Sequence, residues 1–484
     1  MHALPRRRTA ALAAEALIVT YPLVLMDLVR AQLTATTRAG RLRAPVNQFA
    51  HMTRCAPPPL APLITPNLDT LTSSAWLDLS AEPLVLAVPD MGGRYYAMPV
   101  YDAWTTPAAV IGARTTGPGA REFALVGPWF RGPLPRHLSV IQSRTSMAWI
   151  LAQVRCDGDD DAAAVHRIQH GIRLTPLSRY GRGEGPPPDV ESGVRSSAVV
   201  SSPVARIARM DPVEYFGRVA RLLADNPPHR NDRVHVGRMS VLGVVPGHPP
   251  DWSPGDRPLL RAVARGMAEG LAHVEAAGEA IAGAAGPWVC PQELGHRQSD
   301  PLIRAASVWT ALGALPRHDA LVYTSRLDGT GRTLTGERRY TLHFAPGASP
   351  PAQAFWSLTA YDDVGFFVAG ENQRPTVGDR DPLRYESDGS LVLRLQPDRP
   401  GGEQANWLQT PAGAFSLALR LYRPGPPALR GAWRPPGARP LEARSGTAPP
   451  RVPGDVPGDL TGDGLDTVPG VVPYAVGDSS RRTG

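Results

Sequence analysis

Nine polar side chains lie within an otherwise apolar, strand-patterned stretch early in the chain: Asn67, Asp69, Thr70, Asp78, Arg94, Tyr96, Asp102, Thr105 and Arg114. Carboxylates and arginines beside core strands must be paired or must line a cavity. Two readings follow. In one, salt bridges hold loops onto a β sandwich. In the other, the set lines a ligand pocket. There Arg94 or Arg114 clamps an anion, and Asp69 or Asp102 serves as acid or base. Asn67, Thr70, Tyr96 and Thr105 supply hydrogen bonds. Asn67 and Asp69 follow Pro66 in a turn, where such side chains bond nearby backbone and stiffen the loop. Arg94 and Asp102 open and close one expected strand. A straight strand would hold them ~26 Å apart, so one small ligand reaches both only if the strand bends. The first pairing expected is therefore Asp69 with Arg94 or Arg114 as a buried clamp. The second is Asp102 with Thr105 as a separate loop anchor.

Other chemistries fail on residue type or spacing. All 51 basic residues are arginine. Schiff-base, phosphate-loop and general-base lysines are thus excluded. There is no GxSxG, no HExxH and no dinucleotide fingerprint. The net charge is +7, but the arginines are scattered among acids and form no run, so no nucleic-acid partner is expected. His166 and His170 share a helix face at metal-ligand spacing. A third ligand is missing, and a solvated face is the expected role. His51 and His343 read as structural. Cys55, Cys156 and Cys290 form no CxxC pair and read as buried thiols. Asp459, Thr461, Asp463 and Gly464 faintly resemble a calcium loop, but the twelfth position, where glutamate is needed, is Gly470. No metal and no cofactor is expected.

The elements that must position these groups follow from periodicity. Residues 10–34 read as one amphipathic helix kinked at Pro22. Its uncharged run, Ala16–Met26, is too short to cross a bilayer. No membrane span is expected. The compartment expected is the cytoplasm, with export left open. Short runs at Leu84–Val88, Arg94–Tyr101, Ala109–Ala113, Phe123–Val126, Val140–Gln142 and Ala148–Val154 are separated by turn residues and predict antiparallel strands. A helix follows at 160–172. Residues 179–209 read as a flexible linker. Helices are expected in 210–315. One of them, about 258–283, buries Leu260, Val263, Met267, Leu271 and Val274 on one stripe. Strands return at Tyr340–Phe344, Ala354–Tyr361, Phe366–Ala369, Leu391–Leu395 and Phe415–Tyr422. The expected parts are an N-terminal helix (1–39), a first β module (40–178), the linker, the helical segment, a second β module (316–435) and a disordered tail (436–484).

Several ordered motifs carry a family resemblance. Pro66–Leu79 (PNLDTLTSSAWLDL), Glu82–Asp90 (EPLVLAVPD), Gly93–Tyr96 (GRYY), Gly112–Thr116 (GARTT), Leu125–Pro128 (LVGP) and Leu174–Leu177 (LTPL) resemble the domain-of-unknown-function family DUF1254. Pro350–Asp362 (PPAQAFWSLTAYD), Asp388–Leu391 (DGSL), Asn406–Leu408 (NWL) and Phe415–Tyr422 (FSLALRLY) resemble DUF1214. The resemblance implies two jelly-roll-like antiparallel β-sandwich modules joined by helices, a mainly β fold with helical additions. It brings no established reaction. Relatives usually carry tyrosine at the position of Thr72, and the chain also departs from them at Glu371–Val377 and His296–Asp300.

Three functions compete. One is an enzyme acting on a small polar or anionic molecule. The second is a non-catalytic protein that binds such a ligand or assembles through its sheets, which leaves a homo-oligomer open. The third, a metal-dependent cupin-like oxygenase, needs histidines with a carboxylate on neighbouring strands, and these strands are poor in histidine.

Overall fold

The computed structural model describes residues 5–54, 67–182, 202–253, 255–282, 286–290, 300–363, 365–367, 375–401 and 406–441. It is mostly sheet, with helices added at one side. α1 (Arg6–Leu33) is followed by β1 (Phe49–His51), β2 (Thr70–Asp78), β3 (Leu84–Val88), β4 (Tyr96–Asp102), β5 (Pro107–Gly112), β6 (Arg121–Val126), β7 (Ser139–Gln142) and β8 (Met147–Arg155). α2 (Asp159–Gly171) and β9 (Arg173–Pro176) complete the first β module. Helices α3 (Pro203–Arg209), α4 (Pro212–Asp225), α5 (Arg233–Arg238), α6 (Arg257–Ala282) and α7 (Pro301–Ala311) come next. The second module contains β10 (Ala320–Ser325), β11 (Tyr340–Phe344), β12 (Ala352–Asp362), β13 (Thr376–Gly378), β14 (Leu391–Gln396), β15 (Asn406–Gln409) and β16 (Phe415–Pro424), then α8 (Pro426–Leu429) and β17 (Arg439–Pro440).

Each module is a pair of sheets. In the first, the order β1-β2-β8-β4-β5 faces β7-β6-β3-β9. Side chains alternate along a strand. Leu71, Ala75, Leu77, Ile150, Ala152 and Val154 therefore point inward to meet Leu86, Phe123 and Leu125 of the other sheet. In the second, β10-β16-β12-β13 faces β15-β14-β11-β17, around Leu321, Leu358, Leu393, Leu417 and Leu419. Pairing is antiparallel except at β6–β7 and β14–β15, which are parallel.

The opposite face of β2, β4 and β8 is also covered. Trp76, Tyr101, Trp149 and Leu151 pack into a second core with α1, α4 and α6. Trp76 and Trp149 are opposed in register and their rings stack 5.0 Å apart. α1 lies at the centre of this core. By length and composition it could cross a membrane, yet 83% of its most apolar window is buried inside the protein. It runs unbroken through Pro22, and Glu15 and Asp27, the acids within it, are met by arginine and histidine partners.

The structure differs from the expectations in three further places. Residues 203–209, read as linker, form α3, opened by a proline in its first turn; 183–201 lie outside the described residues. Arg439 and Pro440, read as part of a disordered tail, pair with Thr341 and Tyr340 at the edge of β11. An edge tolerates proline because one side needs no donor. The remaining tail, 442–484, is outside the described residues. Phe366 and Phe367 carry no strand pairing, and the rest of that expected strand is not described.

Candidate functional site

The polar set of the first module does not converge on one pocket. Asn67, Asp69 and Thr70 stand at the start of β2, on the rim facing the second module. Asp69 is 0% exposed. Its Oδ1 accepts from Arg380 Nη2. Its Oδ2 accepts from Ser357 Oγ at 2.6 Å and Tyr422 Oη at 3.1 Å. Arg380 also donates to Asp157 Oδ1 at 2.7 Å and lies 4.5 Å above the Phe355 ring. That ring stacks on Tyr422 at 4.1 Å. Asn67 Nδ2 donates to Tyr422 Oη and Thr70 Oγ1, each at 3.1 Å.

Two modules are thus joined through one carboxylate. The expected partners of Asp69, Arg94 and Arg114, are elsewhere. Arg94 makes a two-pronged pair with Asp161 of α2, both contacts 2.5 Å, and holds that carboxyl below its usual range. The strand reading placed Arg94 at the head of β4. It lies instead in the turn before the strand, so its side chain reaches α2 and not the seam. Arg114 crosses to the second module and grips Asp319 through Nε and Nη2, 2.8 Å each. Tyr95 Oη adds a bond to Asp319 O at 2.9 Å.

Tyr96 belongs to the sandwich core, with its hydroxyl donating to Gly117 O at 2.7 Å. Burial pushes that phenol up. Asp102 and Thr105 form a turn at the far end of β4. Asp102 is 4% exposed, and its Oδ1 accepts from the Trp104 and Thr106 backbone, 2.9 Å each. Thr105 adopts φ 67° and donates its N–H to Asp102 O. Burial raises the Asp102 carboxyl to about 6, against those two backbone bonds. Asp78 is exposed at the end of β2, where its Oδ1 accepts from Ser80 N.

Behind Asp69 the seam stays polar. Arg420, 4% exposed, donates to Tyr361 Oη at 2.7 Å and Thr359 Oγ1 at 3.4 Å. Burial opposes its charge, but Tyr361, Tyr422 and Asp69 hold the guanidinium above its ordinary range. Tyr422 is pushed well up by burial and by Asp69. It is a neutral donor, not a base.

The histidines gather more than their spacing suggested. His51 stacks on His170 at 6.4 Å and shares a 2.8 Å bond with Ser73 Oγ. Burial, then His170 and His166, lower it to about 4. His166 Nε2 donates to Thr53 O, and His170 Nδ1 to His166 O, which occupies two of the ring nitrogens a metal would need. Among the described residues no three His, Cys, Asp or Glu side chains are arranged for a metal. Cys156 and Cys290 are buried; Cys55 is outside the described residues.

Sequence reasoning missed Arg380, Ser357 and Tyr422 because they lie some 300 residues from Asp69. The only local signal was Tyr422, a polar tip on the strand face opposite Leu421, which belongs to the core.

Residues 46–176 match the family described as protein of unknown function DUF1254, and residues 319–426 match that described as protein of unknown function DUF1214. The chain is a paired-domain protein of these two families, the first N-terminal and the second C-terminal. Among solved structures, the VPA0106 protein from Vibrio parahaemolyticus is similar at 22% identity, over 90% of this chain and 100% of that one, with a TM-score of 0.69. The two share a fold. An uncharacterized protein from Burkholderia cenocepacia is similar at 12% identity, over 90% of this chain and 94% of that one, with a TM-score of 0.42. No curated protein matches the sequence.

Proposed function

We propose that this chain is a non-catalytic binding protein for a small polar or anionic molecule, with its two β modules acting as one frame. The observation that supports this is the state of Asp69. A carboxylate acting as acid or base must reach a substrate proton. Asp69 is closed to solvent, and both its oxygens are engaged across the seam. Arg94 and Arg114 are likewise committed to Asp161 and Asp319. Asp102 serves a turn.

The test is a thermal-shift screen of polar and anionic small molecules, paired with turnover assays on every compound that raises the melting temperature. The expected result is a shift without turnover, with the shift retained in Asp102→Asn. Turnover that disappears in Asp69→Asn or Asp102→Asn, at an unchanged melting temperature, would overturn the reading. So would a screen with no response.

A further inference from the structure

A cavity of about 340 Å³ opens where α1, α4 and the sheet end formed by β2 and β8 meet. Small-molecule pockets begin at about this size. Arg218, Arg221, Leu222 and Asp225 recur three and four apart along α4, so they share the helix face turned to it. Asp27 and Arg30 reach it from α1, and Asp78, Ser146 and Met147 from the sheet. Asp78 and Met147 are directly opposed in register and stand on one face.

The two ends differ in charge. At one end a buried carboxylate gathers two guanidinia. Arg30 Nη2 donates to Asp27 Oδ1 at 2.8 Å, and Arg218 Nη1 donates to Asp27 Oδ2. The three groups together keep one positive charge. Both guanidinia are partly exposed, and each has a second Nη with no other hydrogen bond among the described residues. At the other end Ser146 N donates to Asp225 O at 3.0 Å, and Ser146 O accepts from Leu79 N at 2.8 Å. Ser146 thereby ties Asp225 to the residue beside Asp78. Asp78 and Asp225 are exposed. Neither has an ion pair among the described residues. Arg221 stands one turn from Arg218 and one from Asp225. Leu222 and Met147 supply apolar lining. Ser146 is 2% exposed and its Oγ has no partner, an uncommon state for a buried hydroxyl that a bound polar group would relieve.

We infer that this cavity binds a short ω-amino acid, its carboxylate on the free arms of Arg30 and Arg218 and its ammonium between Asp78 and Asp225. Guanidinium forks suit a carboxylate. Arg218 and Asp225 are seven residues apart in α4, about 10 Å along the axis. A charge-assisted hydrogen bond of about 2.8 Å at each end leaves about 5 Å, the extended length of a chain of three methylenes. Three arginines and three aspartates line the cavity, so a guest without net charge leaves the balance intact. A simple anion or cation does not. The inference rests on the binding reading above and gives it a place and a ligand class.

The experiment is calorimetric titration of the full chain with 4-aminobutyrate, butyrate, butylamine and glycine at low salt. Saturable binding of 4-aminobutyrate is expected. Butyrate and butylamine, each lacking one charge, and glycine, whose charges are too close, should bind roughly tenfold more weakly or less. Asp78→Asn combined with Asp225→Asn should weaken 4-aminobutyrate by a similar factor and leave butyrate unweakened. Arg218→Lys keeps a cation on Asp27 but loses the free arm of the fork, and should weaken both. Arg265→Leu, an exposed change on α6, should alter neither. Unaltered melting temperatures will show that the variants are folded. Absence of 4-aminobutyrate binding, equal binding of butyrate or glycine, or full affinity in the double aspartate variant overturns the inference. Compounds from the thermal-shift screen that bind the Arg218 and aspartate variants as well as wild type would refute this cavity while leaving the binding reading standing.

Discussion

Removing the guanidinium of Arg380 strands one buried carboxylate. Asp157 keeps Arg155 as a partner, but Asp69 loses its ion pair and has no access to water. Breaking a buried pair from one side costs about 3–5 kcal/mol. Arg380→Leu should lower the urea midpoint by that equivalent, and adding Asp69→Asn should recover part of it. A midpoint within about 1 kcal/mol of wild type would show that Asp69 does not rely on Arg380. Two further residues act on pH dependence with opposite signs. Asp102 holds its proton up to about 6 when folded, against 3.8 as a free side chain. Between those values the native state binds more protons than the unfolded state, so stability falls as pH rises, by about 3 kcal/mol in total. His51 falls from 6.5 to about 4 on folding. In that window the unfolded state binds more protons, so stability is lost as pH falls, by a similar amount of about 3 kcal/mol. The two slopes oppose each other between about pH 4 and 6. Asp102→Asn keeps an oxygen for both backbone bonds and should steepen the acid loss. His51→Gln should flatten or reverse it. Melting curves from pH 4 to 7 would show parallel profiles for both variants if neither group is perturbed.

At the scale of elements, α1 and α6 approach so closely that only glycine fits at two positions. A Cβ on Gly266 would lie 2.1 Å from Ala10 O, and one on Gly270 would lie 2.8 Å from Ala14 O. Alanine in a helix is favoured over glycine by about 0.8–1 kcal/mol. Here the clash is with backbone, which cannot swing aside. Gly266→Ala should therefore destabilise, by about 1–3 kcal/mol, and a raised melting temperature would contradict this packing. Such helices were legible in the sequence: of the expected stripe, Val263, Met267 and Val274 are buried and Leu260 and Leu271 are half-buried. So were β3, β11 and β14, whose one-sided or continuous apolar patterns match their burial. β2 was not read as a strand. Its Thr72, Ser73 and Ser74 look like loop residues, but the first two are buried and Ser74 is half-buried, because the strand is covered on both faces. β1, β10, β13 and β15 escaped for a related reason. They are short or weakly patterned, and partners distant in sequence define them. The candidate site was legible as a set of residue types, and its pairings were not, since Asp319 and Arg380 come from the other module.

For the whole molecule, the seam predicts that the modules unfold together. Arg114–Asp319, Arg380–Asp69, Tyr95–Asp319 and the edge contacts of Tyr95 with Phe355 and Tyr422 all cross it. Tryptophan fluorescence and far-ultraviolet circular dichroism should report one coincident transition. Arg114→Leu combined with Arg380→Leu should separate it into two. Two transitions in the unaltered protein would mean that the seam does not couple the modules.

α1 has a consequence for the order of synthesis. Its apolar surface is covered mainly by α6 and α7, which emerge from the ribosome long after it. At about 5–20 residues per second, the roughly 230 residues between α1 and the middle of α6 take on the order of 10–50 s to appear. For that interval the nascent chain displays a helix with the composition of a membrane segment and without its main cover. The growing polypeptide therefore needs a holding factor early and none once α6 has docked. Its yield in the cell should depend on chaperone supply more steeply than the stability of the finished fold would suggest.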